Sequence, residues 1–93
     1  MATLMIRHRV ADYEAWKRGY DEADWLRKQH GILYASVHRD ATDPNVVMAV
    51  HRFEDMSGAN EFADAVRPLM EQIGVEGQPE VWIGEDVERV SYS

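Results

Sequence analysis

No cysteine occurs in the 93 residues, which excludes a disulfide framework and any thiolate metal site. Cations are scarce as well: 10 Lys and Arg stand against 17 Asp and Glu, a formal net charge of −7. Nucleic acids and anionic membranes both demand clustered Lys and Arg, so neither is an expected partner. No secretory apolar run follows Met1, and the expected location is the cytoplasm. Linkers and low-complexity stretches are missing too, which makes residues 1–93 a single domain. A domain this small buries only roughly two-thirds of the surface its unfolded chain exposes. Yet 45% of the residues are hydrophobic, with three Trp and five Met. Some of that surface is expected to be covered between subunits of a homodimer or around a hydrophobic small molecule.

The chain says nearly the same thing twice. Leu4-Met5-Ile6-Arg7 runs into His8-Arg9-Val10-Ala11-Asp12, and Val46-Val47-Met48-Ala49-Val50 runs into His51-Arg52-Phe53-Glu54-Asp55. Each time an alternating apolar stretch ends in His-Arg-apolar, an acidic residue follows, and helical spacing begins, so each half reads as strand then helix. The repeat sets an imidazole at the same point on two strands of one sheet.

The first strand is expected from Thr3 to Val10, followed by a helix capped by Asp12 that carries Tyr13, Trp16, Tyr20, Ala23 and Leu26 on one face and ends at Gly31. Ile32–Arg39 and Val46–Phe53 form a hairpin around an Asp40–Asn45 turn with its Asp43-Pro44-Asn45 signal. Asp55 or Ser57 caps a second helix bearing Ala59, Phe62, Ala63 and Val66; Pro68 should interrupt or kink it before it finishes at Gly74. Gly77 and Pro79 then lead to a last strand around Val81–Val90. The expected fold is therefore α+β: a ferredoxin-like βαββαβ chain with a four-stranded antiparallel sheet of order 4-1-3-2 and helices on one face.

Pairing Arg39 with Val46 sets Tyr34 opposite His51, Ser36 opposite Ala49 and His38 opposite Val47, all on the face shared by Leu4, Ile6, His8 and Val10. Arg7 and Arg9 belong to the other face, and arginines without partners do not sit beneath a packed helix, so the histidine face is the one the helices cover. The second face then holds Leu33, Ala35, Val37, Met48 and Val50, ringed by Arg7, Arg9, Arg39 and Arg52, and suits a second copy's sheet. His8 is expected beside Val47 or Ala49 and His51 beside Leu4 or Ile6, a displacement of roughly 7–14 Å along the strands. His38 would stand about 10 Å from His8, two interstrand spacings away. A shared metal ion, bound near 2.0–2.1 Å, is not expected there.

The segments His8-Arg9-Val10-Ala11-Asp12-Tyr13-Glu14-Ala15-Trp16-Lys17, Asp43-Pro44-Asn45, Phe53-Glu54-Asp55 and Gly77-Gln78-Pro79-Glu80-Val81 resemble the dimeric α+β barrel proteins. That group includes the antibiotic-biosynthesis monooxygenases, small polyketide cyclases and muconolactone-isomerase-like enzymes. The resemblance covers nearly the whole chain and implies a pocket between sheet and helices. It also implies that Phe53, standing where the group has the aromatic of a Trp-Glu-Ser-like turn, faces that pocket. The related haem-degrading enzymes take an axial histidine from the second helix, and no histidine occurs after Glu54.

Spaced imidazoles on a covered floor suit a flat or folded substrate whose different atoms meet different histidines. The expectation is a homodimeric, cofactor-independent enzyme acting on a polyketide-like or aromatic metabolite by cyclisation, isomerisation, or proton abstraction that lets a phenolic substrate react with oxygen. His8 and His51 are the acid/base candidates, Tyr34 and His38 position the substrate, and Trp16, Phe53, Phe62 and Met70 form apolar walls. A non-catalytic ligand-binding or regulatory module would show the same walls. A structural dimer with hydrogen-bonded core histidines is the third reading.

Overall fold

The computed structural model describes residues 1–93. Its elements run β1 (Ala2–Val10), α1 (Tyr13–Glu22), α2 (Asp24–Gln29), β2 (Tyr34–Arg39), β3 (Val46–Phe53), α3 (Met56–Gln72) and β4 (Val75–Glu85). The sheet has the order β2-β3-β1-β4 with every pairing antiparallel, the ferredoxin-like arrangement. No helix is long and apolar enough to cross a membrane.

Both helix starts follow from their acidic caps. The Asp12 side chain accepts from the Glu14 amide at 3.0 Å and Asp55 from the Gly58 amide at 2.8 Å, each satisfying a donor that the first helical turn leaves free. The expected first helix is broken in two at Ala23, and α2 starts without a side-chain cap. Of the expected interruption or kink at Pro68, the interruption does not occur: α3 runs unbroken through it. The last strand starts six residues earlier than expected, at Val75 rather than Val81, and ends at Glu85. Gly77 and Pro79, whose composition reads as loop, lie inside β4 at a register shift opposite His8: Arg7 pairs with Glu80 but Arg9 with Glu76. Gly77 takes φ +69° there, a conformation that suits glycine and a bulged strand.

The hairpin register also differs by one residue. Arg39 pairs with Val47, not Val46, so Ala35 faces His51 and Val37 faces Ala49. The cause lies in the turn. Asp40 accepts from the Thr42 hydroxyl and from the Thr42 and Asp43 amides, while its own amide donates to the Val46 carbonyl at 2.9 Å. This Asx-type turn draws Val46 into the loop closure. A one-residue slip turns every side chain of the strand over, so Tyr34, Ser36 and His38 stand on the open face and Ala35 and Val37 on the helix side. Arg39 follows Val37, and its guanidinium stacks 3.9 Å from the Tyr13 ring centroid instead of rimming the open face.

The alternation of β1 and β3 holds throughout. Ala2, Leu4, Ile6, His8 and Val10 are buried, as are Val47, Ala49, His51 and Phe53. Against them α3 lays Ala59, Phe62, Ala63 and Met70, and α2 contributes Leu26. A smaller cluster of Val10, Trp16 and Val47 fills the other end under α1. Side chains the size of Trp16, Phe53 and Phe62 each stabilise by roughly 1.5–3 kcal/mol when fully buried.

Candidate functional site

Between these two clusters lies a pocket lined by Ile6, His8, Trp16, Tyr20, Ala23, Arg27, Ala49, His51, Phe62, Val66, Leu69, Met70 and Ile73, with a free volume of about 30 Å³. Thus β1 and β3 supply the floor, the helices the walls. His8 is opposite Val47 and His51 opposite Leu4, which places the imidazoles near the two ends of the pocket. A run of aromatic rings joins them: His8 to Trp16 at 5.4 Å between centroids, Trp16 to Tyr20 at 5.0 Å and Tyr20 to His51 at 6.2 Å. Phe62 closes on His51 from α3 at 5.3 Å.

The ends differ chemically. At one, Nε2 of His51 shares a hydrogen bond with the Tyr20 hydroxyl at 3.2 Å, while its Nδ1 has no protein partner. Arg27, only 7% exposed, places its guanidinium 3.9 Å from the Tyr20 ring centroid, donates to the Tyr20 carbonyl at 2.7 Å and reaches Asp24 at 3.3 Å. At the other end, both ring nitrogens of His8 and Nε1 of Trp16 are buried without a partner. Burial holds His8 down at a pKa of about 4. Burial and then the Arg27 charge hold His51 at about 4, so both imidazoles are neutral at pH 7. Burial raises Tyr20, which keeps its phenolic proton. The pocket therefore offers two neutral proton acceptors on apolar walls, with a cation held beside one of them.

Of the residues expected to make the site, His8, His51, Trp16, Phe62 and Met70 line this pocket. Phe53 does not: it is buried behind Phe62 at 5.7 Å between ring centroids, part of the core instead of a wall. Tyr34 and His38 lie on the opposite face through the register slip; Tyr34 is exposed, and His38 hydrogen-bonds Ser36 at 2.8 Å in solvent. Residue-level reading missed Arg27 altogether. Its signal was present, since Trp16, Tyr20, Ala23 and Arg27 follow one another at helical spacing, and a cation in such a stripe marks a polar group turned inward. No group of three or more His, Asp or Glu side chains is placed to hold a metal ion.

The overall architecture matches solved structures closely. The cofactor-independent oxygenase SnoaB of Streptomyces nogalater superposes with a TM-score of 0.79 at 12% identity, over 98% of this chain and 97% of that one. The chain has the fold of the antibiotic biosynthesis monooxygenases. A second protein of this fold, a monooxygenase of Streptomyces coelicolor in complex with nanaomycin D, superposes with a TM-score of 0.67 at 18% identity, over 99% of this chain and 92% of that one. A dimeric ferredoxin-like protein from an uncultured marine organism does so at 0.68 and 12% identity, again over 99% and 92%. No protein-family profile and no curated protein matches the sequence.

Proposed function

We propose that the chain is a small-molecule enzyme of the oxygenase type that uses no cofactor and acts on an aromatic, phenol-bearing or polyketide-like metabolite. The carrying observation is the hydrogen bond between Tyr20 and a neutral His51 inside an otherwise apolar pocket. A neutral imidazole can accept a substrate hydroxyl or carbon-bound proton, and the resulting electron-rich substrate can react with dioxygen. Arg27 beside the pair disfavours a lasting imidazolium at His51, so the proton is returned instead of stored. Cyclisation or isomerisation would need the same proton transfer without oxygen. His8 is the second acid/base candidate, at the other end of the pocket.

The pocket must widen to admit such a substrate, because its free volume of about 30 Å³ is far below the roughly 300–1,000 Å³ of ligand-binding cavities. Ile73 is the thinnest partition between this pocket and the surface. It lines this pocket and also two surface grooves beside Gly19 and Gln72. The narrowness favours, as a second reading, a binding module that closes on a ligand without transforming it. A panel of hydroxylated naphthalenes and anthracenes incubated with the protein, with and without dioxygen, separates these readings. Oxygen-dependent product that His51→Asn abolishes supports the oxygenase; product formed equally under nitrogen supports isomerisation or cyclisation; and binding without product leaves only the module.

The assembly we propose is a homodimer through the open sheet face. Met5, Met48, Val50 and Tyr34 share that face by register with Trp82, and Trp82 is 66% exposed. Around them Arg7 pairs with Glu80, Arg9 with Asp43 and Arg52 with Asp86, which neutralises the rim. An exposed tryptophan beside methionine and valine on a charge-neutralised face has the composition of an interface core.

A further inference from the structure

We infer that the indole N–H of Trp16 and the imidazole of His8 together form a receptor for a single oxygen atom, a phenolic hydroxyl or the oxyanion derived from it. The inference deepens the proposed function and rests on it only for the expectation that the ligand is aromatic. Three observations carry it. Trp16 is 2% exposed and His8 6% exposed, and neither side chain has a hydrogen-bond partner at any nitrogen. Their rings lie 5.4 Å apart, centroid to centroid, on the wall of one pocket. The rest of that end is apolar apart from two tyrosines: Val10, Val47, Val37, Val75 and Ile73 pack around Trp16 together with the rings of Tyr13 and Tyr20, and the Tyr20 hydroxyl is already bonded to His51.

Leaving a buried donor or acceptor unpaired costs roughly 1–3 kcal/mol, so this pair weakens the fold unless something else binds there. The donor set defines what fits. An indole N–H only donates; a neutral imidazole both donates and accepts. A hydroxyl lying between them accepts from Trp16 and donates to one His8 nitrogen, which pairs two of the three orphaned nitrogens at once. If the hydroxyl proton passes along that bond to His8, the oxyanion left behind accepts from Trp16 and from the His8 N–H so formed. A methyl group in the same place satisfies neither. Trp16 is thus a specificity-determining residue that selects an oxygen substituent, not merely an apolar wall, and it divides labour with His51 at the far end.

Phenol and toluene, which share a shape and differ in the oxygen, test the assignment. In the wild-type protein, phenol titrated into a ¹⁵N-labelled sample should move the Trp16 indole N–H resonance downfield and leave those of Trp25 and Trp82 in place. Trp16→Phe should weaken phenol about five- to tenfold while changing toluene by less than twofold. His51→Asn should retain the phenol preference even though the proposed chemistry requires His51, so loss of turnover there with intact discrimination separates the two claims. An unmoved Trp16 resonance in the wild type, or a phenol-to-toluene affinity ratio unchanged by Trp16→Phe, overturns the receptor. The wild-type titration decides the matter by itself if the variant does not fold.

Discussion

The Tyr20 hydroxyl and the His51 Nε2 atom, 31 residues apart in sequence, lie 3.2 Å from each other, and nothing else in the protein bonds to that imidazole. Tyr20 is therefore the single protein group that holds this imidazole by a hydrogen bond. Tyr20→Phe keeps the ring on which Arg27 stacks and removes only the hydroxyl. We expect turnover on the identified substrate to fall about 10–100-fold and stability by roughly 1–3 kcal/mol, the cost of a buried nitrogen left unpaired. Steady-state kinetics with urea unfolding checks both numbers. Unchanged turnover would detach Tyr20 from the chemistry.

Stability should depend on pH with a definite sign. The two buried histidines titrate at about 4 in the folded chain and near 6.5 when unfolded, so between these values the unfolded state binds more protons. Stability is full above about pH 6.5 and is lost as pH falls toward 4, by up to about 1.4 kcal/mol per pH unit for each proton taken up. Urea midpoints at pH 7.5, 6, 5 and 4.5 should trace this decline. The His8→Leu variant should have a shallower one.

The hairpin register makes two neighbouring substitutions behave differently. Met48 is on the open face, whereas Val37 packs against Val10, Trp16 and Val47. Met48→Asp should give a folded monomer at micromolar concentration. Val37→Asp should instead unfold the chain, because a carboxylate would be forced beneath α1. Sedimentation and far-UV circular dichroism distinguish these outcomes; a monomeric wild type would remove the proposed interface.

Gly19 is where α1 meets the end of α3. A Cβ there would sit 2.6 Å from Cγ2 and 2.9 Å from Cβ of Ile73, a clash with a stiff β-branched stem. Gly19→Ala should cost about 1–3 kcal/mol. Adding Ile73→Ala should restore most of that loss and widen the pocket, visible as faster binding of aromatic probes. If Gly19→Ala is neutral, α1 and α3 separate more easily than their packing indicates.

Much of this architecture was legible from residue pattern, because β1 and β3 alternate cleanly and Asp12 and Asp55 stand where helices must start. The hairpin register was not, since it turns on whether Val46 belongs to the strand or to the turn, and the side-chain bonds of Asp40 decide that. β4 was hidden for a different reason: Gly77 and Pro79 are loop residues by propensity, tolerated here by a bulge at the sheet margin. In the site, the repeat located His8 and His51, but composition cannot show that a helix breaks at Ala23. That break is what lets Arg27 fold back onto the Tyr20 carbonyl and ring.

The bulge in β4 has a consequence for how copies of the chain can meet. As an outer strand, β4 leaves one side of its backbone without a partner, an open template for uncontrolled growth into fibrils. Pro79 brings no N–H to that margin, Gly77 twists it, and Glu76 and Glu85 place like charges along it. Strand-to-strand addition is blocked there by geometry and by repulsion, so the irregularity that disguised the strand also protects the protein from polymerising through it.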